Sequence, residues 1–249
     1  MEKLTKIIKY LDQFLEVDKF EDKSFNGLQI EGRKEVKKIA FTVSAGAEIF
    51  SEILDEDPDL IVVHHGIFWK GANPSIKGWM KDRVKPLIEN DVSLYACHLP
   101  LDGHKEVGNN AQILKELGGY PDREFACDAG VAIGWEGDLK GNIFEIKRRL
   151  EEFLDVDCKL LDFGPDQVSK VAVVSGSGGK SIYEAIDKDI DLLITGEETD
   201  IAELAKDAKI NVIFGGHYAT ETTGIIALKK KIQENFNVET LFFDFPTDL

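Results

Sequence analysis

Residues 37–65 read KKIAFTVSAGAEIFSEILDEDPDLIVVHH. The opening KKIAFTVSAG (37–46) is a short apolar, β-branched run that ends in small residues, the pattern of a buried strand turning into a helix. EIFSEILDEDPDLIVV (48–63) then carries the chain through a helical stretch into a second apolar run. The order is strand, helix, strand. It returns 132 residues later as SKVAVVSGSG (169–178) and KSIYEAIDKDIDLLIT (180–195), with Glu52 over Glu184, Asp55 over Asp187, Asp57 over Asp189, Asp59 over Asp191 and Leu60 over Leu192. Beyond this point the offset shortens to 119, because the first copy carries an extra loop around IFWKGANPSIKG, and VSLYACH (92–98) lies over NVIFGGH (211–217). That alignment sets His98 on His217 and Asp102 on Glu221, and the agreement of both at one offset points to an internal duplication.

Strands that alternate with helical stretches imply βαβ units with right-handed crossovers. The expected fold class is therefore α/β: two related α/β domains from an internal duplication, with mainly parallel or mixed sheets and helices packed on them. The first domain is expected over 1–125, completed by the C-terminal segment 225–249, and the second over 126–224. Between the copies, GVAIGWEG, the amphipathic NIFEIKRRLEEFL and the strand-like DCKLLDF complete the second unit. At the N-terminus Leu4, Ile7, Ile8, Leu11, Phe14 and Leu15 share one helical face, and VETLFFDF near the C-terminus reads as a last strand.

The 249 residues are 43% apolar, which is enough for a well-buried core. No apolar run reaches the roughly 18–20 residues that span a bilayer, and MEKLTKIIKYLDQFLEV has helical periodicity in place of a signal peptide's continuous apolar region. Cys97, Cys127 and Cys158 are odd in number and widely spaced, which fits a reducing compartment and neither a disulfide framework nor a thiolate zinc site. The expectation is a cytoplasmic protein with no membrane partner. Forty-six acidic against 30 basic residues give a net charge of −16, a field that repels phosphate backbones, so nucleic acid is disfavoured as a partner. The basic cluster Lys229, Lys230, Lys231 reads as a solvated helix face near a C-terminus.

In open parallel sheets the loops at the carboxyl ends of strands form the binding crevice. His64 and His65 follow DLIVV directly; Gly196, Glu197 and Glu198 follow DLLIT; His98 with Asp102 and His217 with Glu221 follow the two remaining strands. Four of the five histidines thus stand at strand ends, with His104 elsewhere. Imidazole and carboxylate without thiolate suit zinc, iron or manganese in a centre open to water. More than four candidates implies two ions, which together acidify a shared water and clamp an oxygen anion, with Asp102 or Glu221 as the bridge.

At these residues the sequence resembles the GTP cyclohydrolase 1 type 2 family, also called the Nif-three-like family, nearly end to end. The resemblance runs through FNGLQIEG (25–32), VVHHGIFWKG (62–71), CHLPLDGHKEVGNNAQIL (97–114), the SGSGG turn (175–179), LLITGEETD (192–200) and GGHYATETTG (215–224). It implies a two-metal site on His64, His65, Asp102, His217 and Glu221, placed between the two domains and holding two divalent ions per subunit, iron, zinc or manganese. It also implies a homohexameric ring, and makes His98 a further site residue, as a ligand or a hydrogen-bonding neighbour of one, with Glu197 another candidate. Many relatives carry histidines shortly after the Thr-Gly-Glu, where this chain has Glu198, Thr199 and Asp200, so substrate preference is the property that this departure puts in question.

The functional expectation is a dinuclear metal-dependent hydrolase acting on a small molecule, with a guanine nucleotide implied only by the family name and His98 or a neighbouring carboxylate moving protons. A metal-containing ring with a regulatory or scaffold role and no turnover of GTP is the alternative. SGSGGKS (175–181) fails as a phosphate-binding P-loop because Val174 stands where the first glycine is required; a small-residue turn that lets a helix pack close to the sheet is the simpler reading, with anion binding at the helix N-terminus as the other. The aromatic residues of IFWKGANPSIKGW (67–79) read equally as a substrate-stacking lid, a subunit contact or core. Cys97 should point away from the face that presents His98 and pack inside.

Overall fold

The computed structural model describes residues 1–247. In chain order the first elements are β1 (Glu2–Lys3), α1 (Leu4–Phe14), β2 (Gly27–Ile30), β3 (Glu35–Val36), β4 (Lys38–Ser44), α2 (Ala47–Leu54), β5 (Leu60–His65), α3 (Trp79–Glu89), β6 (Ser93–Ala96) and α4 (Leu99–Asp102). There follow α5 (Asn109–Glu116), β7 (Arg123–Asp128), β8 (Val131–Asn142), α6 (Ile143–Leu154), β9 (Lys159–Asp162), β10 (Gln167–Val174), α7 (Ile182–Asp187), β11 (Leu192–Thr195), α8 (Ala202–Ala208), β12 (Asn211–Phe214), α9 (His217–Asn235) and β13 (Glu239–Phe242).

The chain divides into two compact units, Met1–Leu101 with Ile225–Phe245, and Asp102–Gly224 with the tail from Pro246. The first holds a five-stranded sheet in the order β13-β4-β5-β6-β2, parallel throughout except for the antiparallel edge β2. The second holds a six-stranded sheet, β7-β8-β10-β11-β12-β9, whose three central strands β10, β11 and β12 are parallel and whose flanks are antiparallel. Both are mixed α/β sheets, as the alternation of strands and helices requires. Residues 102–125, which the sequence reading assigns to the first domain, lie with the second. The reason is packing: Ala111, Ile113, Leu114 and Leu117 of and just after α5 share a core with Trp135, Ile146, Leu150 and Val171.

The duplication reaches the level of single hydrogen bonds. Ile39 of β4 pairs with Leu60 of β5, and Val171 of β10 with Leu192 of β11, the same register at the same offset. Asp59 Oδ2 accepts the N–H groups of Lys37 and Lys38 at 2.6 and 3.1 Å; Asp191 Oδ2 accepts those of Ser169 and Lys170 at 2.8 and 3.0 Å. Asp57 and Asp189 both take a left-handed backbone, at φ 47° and 51°. The next pairing is not conserved in register: Leu60 faces Ser93, whereas Leu192 faces Asn211 and not the residue after it.

The two sheets are buried on helices in the way their sequences demand. Phe50 and Ile53 of α2 and Val84 and Leu87 of α3 cover Ile61, Val63 and Leu94 in the first unit. Ile182 and Ala185 of α7 and Ala205 of α8 cover Ala172, Leu193 and Val212 in the second. Each Val, Leu, Ile or Phe among these that is removed from water contributes about 1.5–3 kcal/mol. Helix α1 turns Leu4, Ile7 and Leu11 inward, in line with the periodicity read from the sequence. The glycines of the SGSGG turn serve close packing: a Cβ on Gly178 would meet Val174 at 2.6 Å, and one on Gly179 would strike the Thr199 side chain. No helix among the described residues is long and apolar enough to cross a membrane.

Candidate metal centre

In the first unit, β5 and β6 are parallel neighbours, so their carboxyl ends deliver His64, His65 and His98 to one place. One ring nitrogen from each lies within 4.8 Å of the others. The ring centroids are 4.7 Å (His64–His65), 5.1 Å (His64–His98) and 5.5 Å (His65–His98) apart. His64 is fully buried, and its Nδ1 stands 2.9 Å from the Cys97 carbonyl oxygen. A carbonyl only accepts, so Nδ1 carries the hydrogen and Nε2 keeps its lone pair. Cys97 is buried, as its position in the strand pattern requires.

His98 is held from a direction the motifs do not announce. Its Nδ1 lies 3.0 Å from both oxygens of Asp22, and its backbone N–H donates to Asn26 Oδ1 at 2.7 Å. Burial pushes the Asp22 carboxyl up, but the hydrogen bond and charge of His98, with donors from Asn26 and Ser24, hold it well below the usual carboxylate range. Gln29 of the Gly-Leu-Gln motif pins the loop after the double histidine: its Oε1 accepts from Ile67 N at 2.8 Å and its Nε2 donates to Phe25 O at 2.7 Å. Trp69 from that loop sits edge-on to His98, 5.1 Å between centroids, and 6.2 Å from His65, so this part of the aromatic stretch stands beside the histidines. Trp79, by contrast, is exposed.

In the second unit three consecutive residues after β10 touch the predicted acids and imidazole. Ser175 Oγ donates to Asp102 Oδ1 at 3.0 Å, and Asn109 Nδ2 donates to the same oxygen at 2.8 Å. Gly176 has φ +57°, and a Cβ there would lie 2.4 Å from Glu221 Oε1 and 3.2 Å from His217 Nε2. Ser177 Oγ donates to Glu197 Oε2 at 2.6 Å. His217 opens α9, and Glu221, four residues on, falls on the same helical face. The His217 ring lies between two carboxylates, Nδ1 2.6 Å from Glu197 Oε1 and Nε2 3.1 Å from Glu221 Oε1.

That arrangement favours positive charge. The hydrogen bond to Glu221 raises the His217 pKa to about 9 against the opposing effect of burial, with Glu197 adding to it. The Ser177 hydroxyl, then His217, hold the Glu197 carboxyl below its ordinary value. Surroundings that draw a proton onto an imidazole draw a metal cation by the same electrostatics. Asp102 and Glu221 are buried and His217 is partly so, which leaves the donors little freedom. The imidazole and carboxylate set therefore fits a hard or borderline divalent ion.

Of the seven residues expected from the sequence, His64, His65 and His98 gather in the first unit, and Asp102, Glu197, His217 and Glu221 stand around the 175–177 turn of the second. His104 lies apart in function: its Nδ1 accepts the N–H groups of Glu106 and Val107 and shapes a turn. Asp22, Asn26, Asn109, Ser175 and Ser177 were not anticipated. The two serines stand in the quoted SGSGG turn, directly after a strand, and that position was their available signal. A cavity of about 620 Å³ in the second unit is lined by Glu197, Glu198, Lys159, Phe214 and Tyr218 among others.

A repeated α/β sheet whose strand ends present histidines in one unit and a histidine among acids in the other defines a duplicated α/β protein with side-chain clusters that could hold a metal ion. A family model described as Duf34/NIF3 (NGG1p interacting factor 3) matches residues 2–248, and the chain belongs to that family. A protein of Archaeoglobus fulgidus named GTP cyclohydrolase 1 type 2 homolog is 43% identical over 249 residues, 99% of each chain. The crystal structure of TTHA1606 from Thermus thermophilus has TM-score 0.90 at 36% identity, and a solved structure of the protein ybgI, whose function is described as unknown, has TM-score 0.93 at 34%; each covers 100% of both chains.

Proposed function

We propose that the chain is a metal-dependent hydrolase that holds two divalent ions through His64, His65, Asp102, His217 and Glu221. The observation that carries this reading is the three-imidazole cluster of His64, His65 and His98, with the His64 tautomer fixed by the Cys97 carbonyl so that Nε2 is a donor toward a cation. Divalent ions in such a site supply Lewis acidity and an acidified water at neutral pH. The chain's own residues do the rest. Glu197 orients His217 through Nδ1, and Asn109 and Ser175 hold Asp102 in place by donating to Oδ1. His98, whose Nδ1 faces Asp22, is a further candidate donor to the first unit's cluster.

The cavity of about 620 Å³ beside Glu197 is of the size that takes a nucleotide-sized molecule. Guanine nucleotides are the substrate class that the name of the 43%-identical relative brings forward. A small-molecule substrate, a hexameric assembly and a cytoplasmic setting complete the reading. It is tested by metal analysis of natively purified protein, then assay of the Mn²⁺-, Zn²⁺- and Fe²⁺-loaded forms against nucleotides and phosphoesters. Turnover that His64→Ala and His217→Ala both abolish, together with metal content, is expected. Full metal content without turnover of any member would give the ions a structural role and remove the hydrolase, and turnover that survives chelation would remove the metal.

A further inference from the structure

We propose that Asp22 is a positioning residue that sets the tautomer and ring orientation of His98, so that Nδ1 carries the hydrogen and Nε2 presents its lone pair to the cluster with His64 and His65. Asp22 is 4% exposed, and every group that touches its carboxylate is a donor. Ser24 N reaches Oδ1 at 3.0 Å, while Asn26 Nδ2 and Leu99 N reach Oδ2 at 2.9 and 3.1 Å. Three N–H donors on one buried carboxylate favour its ionised, acceptor-only form. His98 Nδ1, 3.0 Å from both oxygens, must then be the donor, because a lone pair facing a carboxylate at that distance would be repelled.

The loop that carries Asp22 is itself fixed. Phe25 N donates to Phe68 O at 3.1 Å, Lys70 N donates to Lys23 O at 2.7 Å, and Ser24 forms an antiparallel bridge with Trp69. Asn26 closes the arrangement by donating to Asp22 and accepting from the His98 backbone. The His98 ring is thus gripped at Nδ1 and at its own main chain, with Nε2 left toward the cluster. A carboxylate behind a ligating imidazole fixes the ring and strengthens it as a donor. The tautomer holds without any metal; the consequence for cation affinity rests on the metal-binding reading above.

The test has two arms. In metal-free protein with ¹⁵N-labelled histidine, long-range ¹H–¹⁵N correlation, with His98 assigned by comparison with His98→Gln, should show Nδ1 protonated in the neutral ring. A neutral ring protonated at Nε2, or one averaging between tautomers, overturns the proposal. In the second arm Co²⁺ is titrated into wild type, Asp22→Asn and, as a control for general loss of stability, Asp59→Ala in the same unit. Asp22→Asn should bind Co²⁺ about 10–100-fold more weakly, with a changed d–d spectrum. Asp59→Ala should keep wild-type affinity. Unchanged affinity in Asp22→Asn, or an equal loss in Asp59→Ala, sinks the positioning role. Should wild type bind no Co²⁺, the metal reading falls and the tautomer alone decides for Asp22; it decides also if Asp22→Asn does not fold.

Discussion

Asp59 and Asp191 make the same pair of hydrogen bonds to the backbone, each with one oxygen accepting two successive N–H groups just ahead of the parallel pairing. The two carboxylates differ in surroundings. Asp59 is 6% exposed and also meets Arg33 at 2.9 Å, whereas Asp191 is partly exposed. Removing the acceptor strands two N–H groups, and at Asp59 it does so in the more buried setting of the two. Asp59→Ala should therefore lower stability by about 1–3 kcal/mol and Asp191→Ala by less, read as urea midpoints. Equal losses at both sites would contradict the burial argument.

Gly176→Ala should damage cation binding far more than stability. The left-handed backbone at φ +57° costs a non-glycine residue about 1–2 kcal/mol. The added methyl would also press on Glu221 Oε1, displacing a proposed ligand. Metal content by elemental analysis should fall, with a thermal midpoint only several degrees lower. Full metal occupancy in Gly176→Ala would show that Glu221 is not a ligand.

The raised pKa of His217 has a defined sign for stability in metal-free protein. The folded state holds the proton up to about 9, the unfolded chain only to about 6.5. The stabilisation is therefore complete below pH 6.5 and fades as pH rises through 9. The stability gap between wild type and His217→Gln should be widest at the acid end of that window and close toward its alkaline end. Chelator-treated protein denatured with urea at a series of pH values reads this directly; a gap that widens with pH would reverse the assignment.

Burial pushes the Cys158 thiol up to about 12, and Cys97 is buried as well, whereas Cys127 is exposed. Thiolate is the reactive form. Brief treatment of the folded protein with iodoacetamide should label Cys127 alone, and all three cysteines only after unfolding, as peptide mass mapping will show. Native labelling of Cys158 at the rate of Cys127 would refute its burial.

Much of this molecule is legible in its sequence because the duplication repeats local rules twice. The runs at 37–46 and 169–178 hold the buried, parallel-paired stretches of β4 and β10, and such strands need continuous apolar residues wherever they occur. The histidines and acids at strand ends follow from the same topology. What escaped is long-range. Asp22 stands 76 residues from His98, in a loop whose path is set by pairing with residues 68–70, and no periodicity records such pairing. The antiparallel β7–β8 extension escaped for a different reason: Gly134 and Gly137 interrupt its alternation, because Val173 O and Tyr120 O press where their side chains would be. The boundary at residue 101 depends on which sheet α5 covers, a choice made by packing in three dimensions.

His64, His98 and His217 share one habit: the Nδ1 of each is moored to an acceptor supplied by the fold, a main-chain oxygen or a carboxylate. Contacts within the fold thus set the orientation of each ring. A cation taken up there would demand little further ordering of these rings, so the entropy that a floppy chelating loop would surrender at loading would already have been given up. Discrimination among ions would then fall to the electronic preferences of the metal itself and to whichever one the surroundings offer in excess.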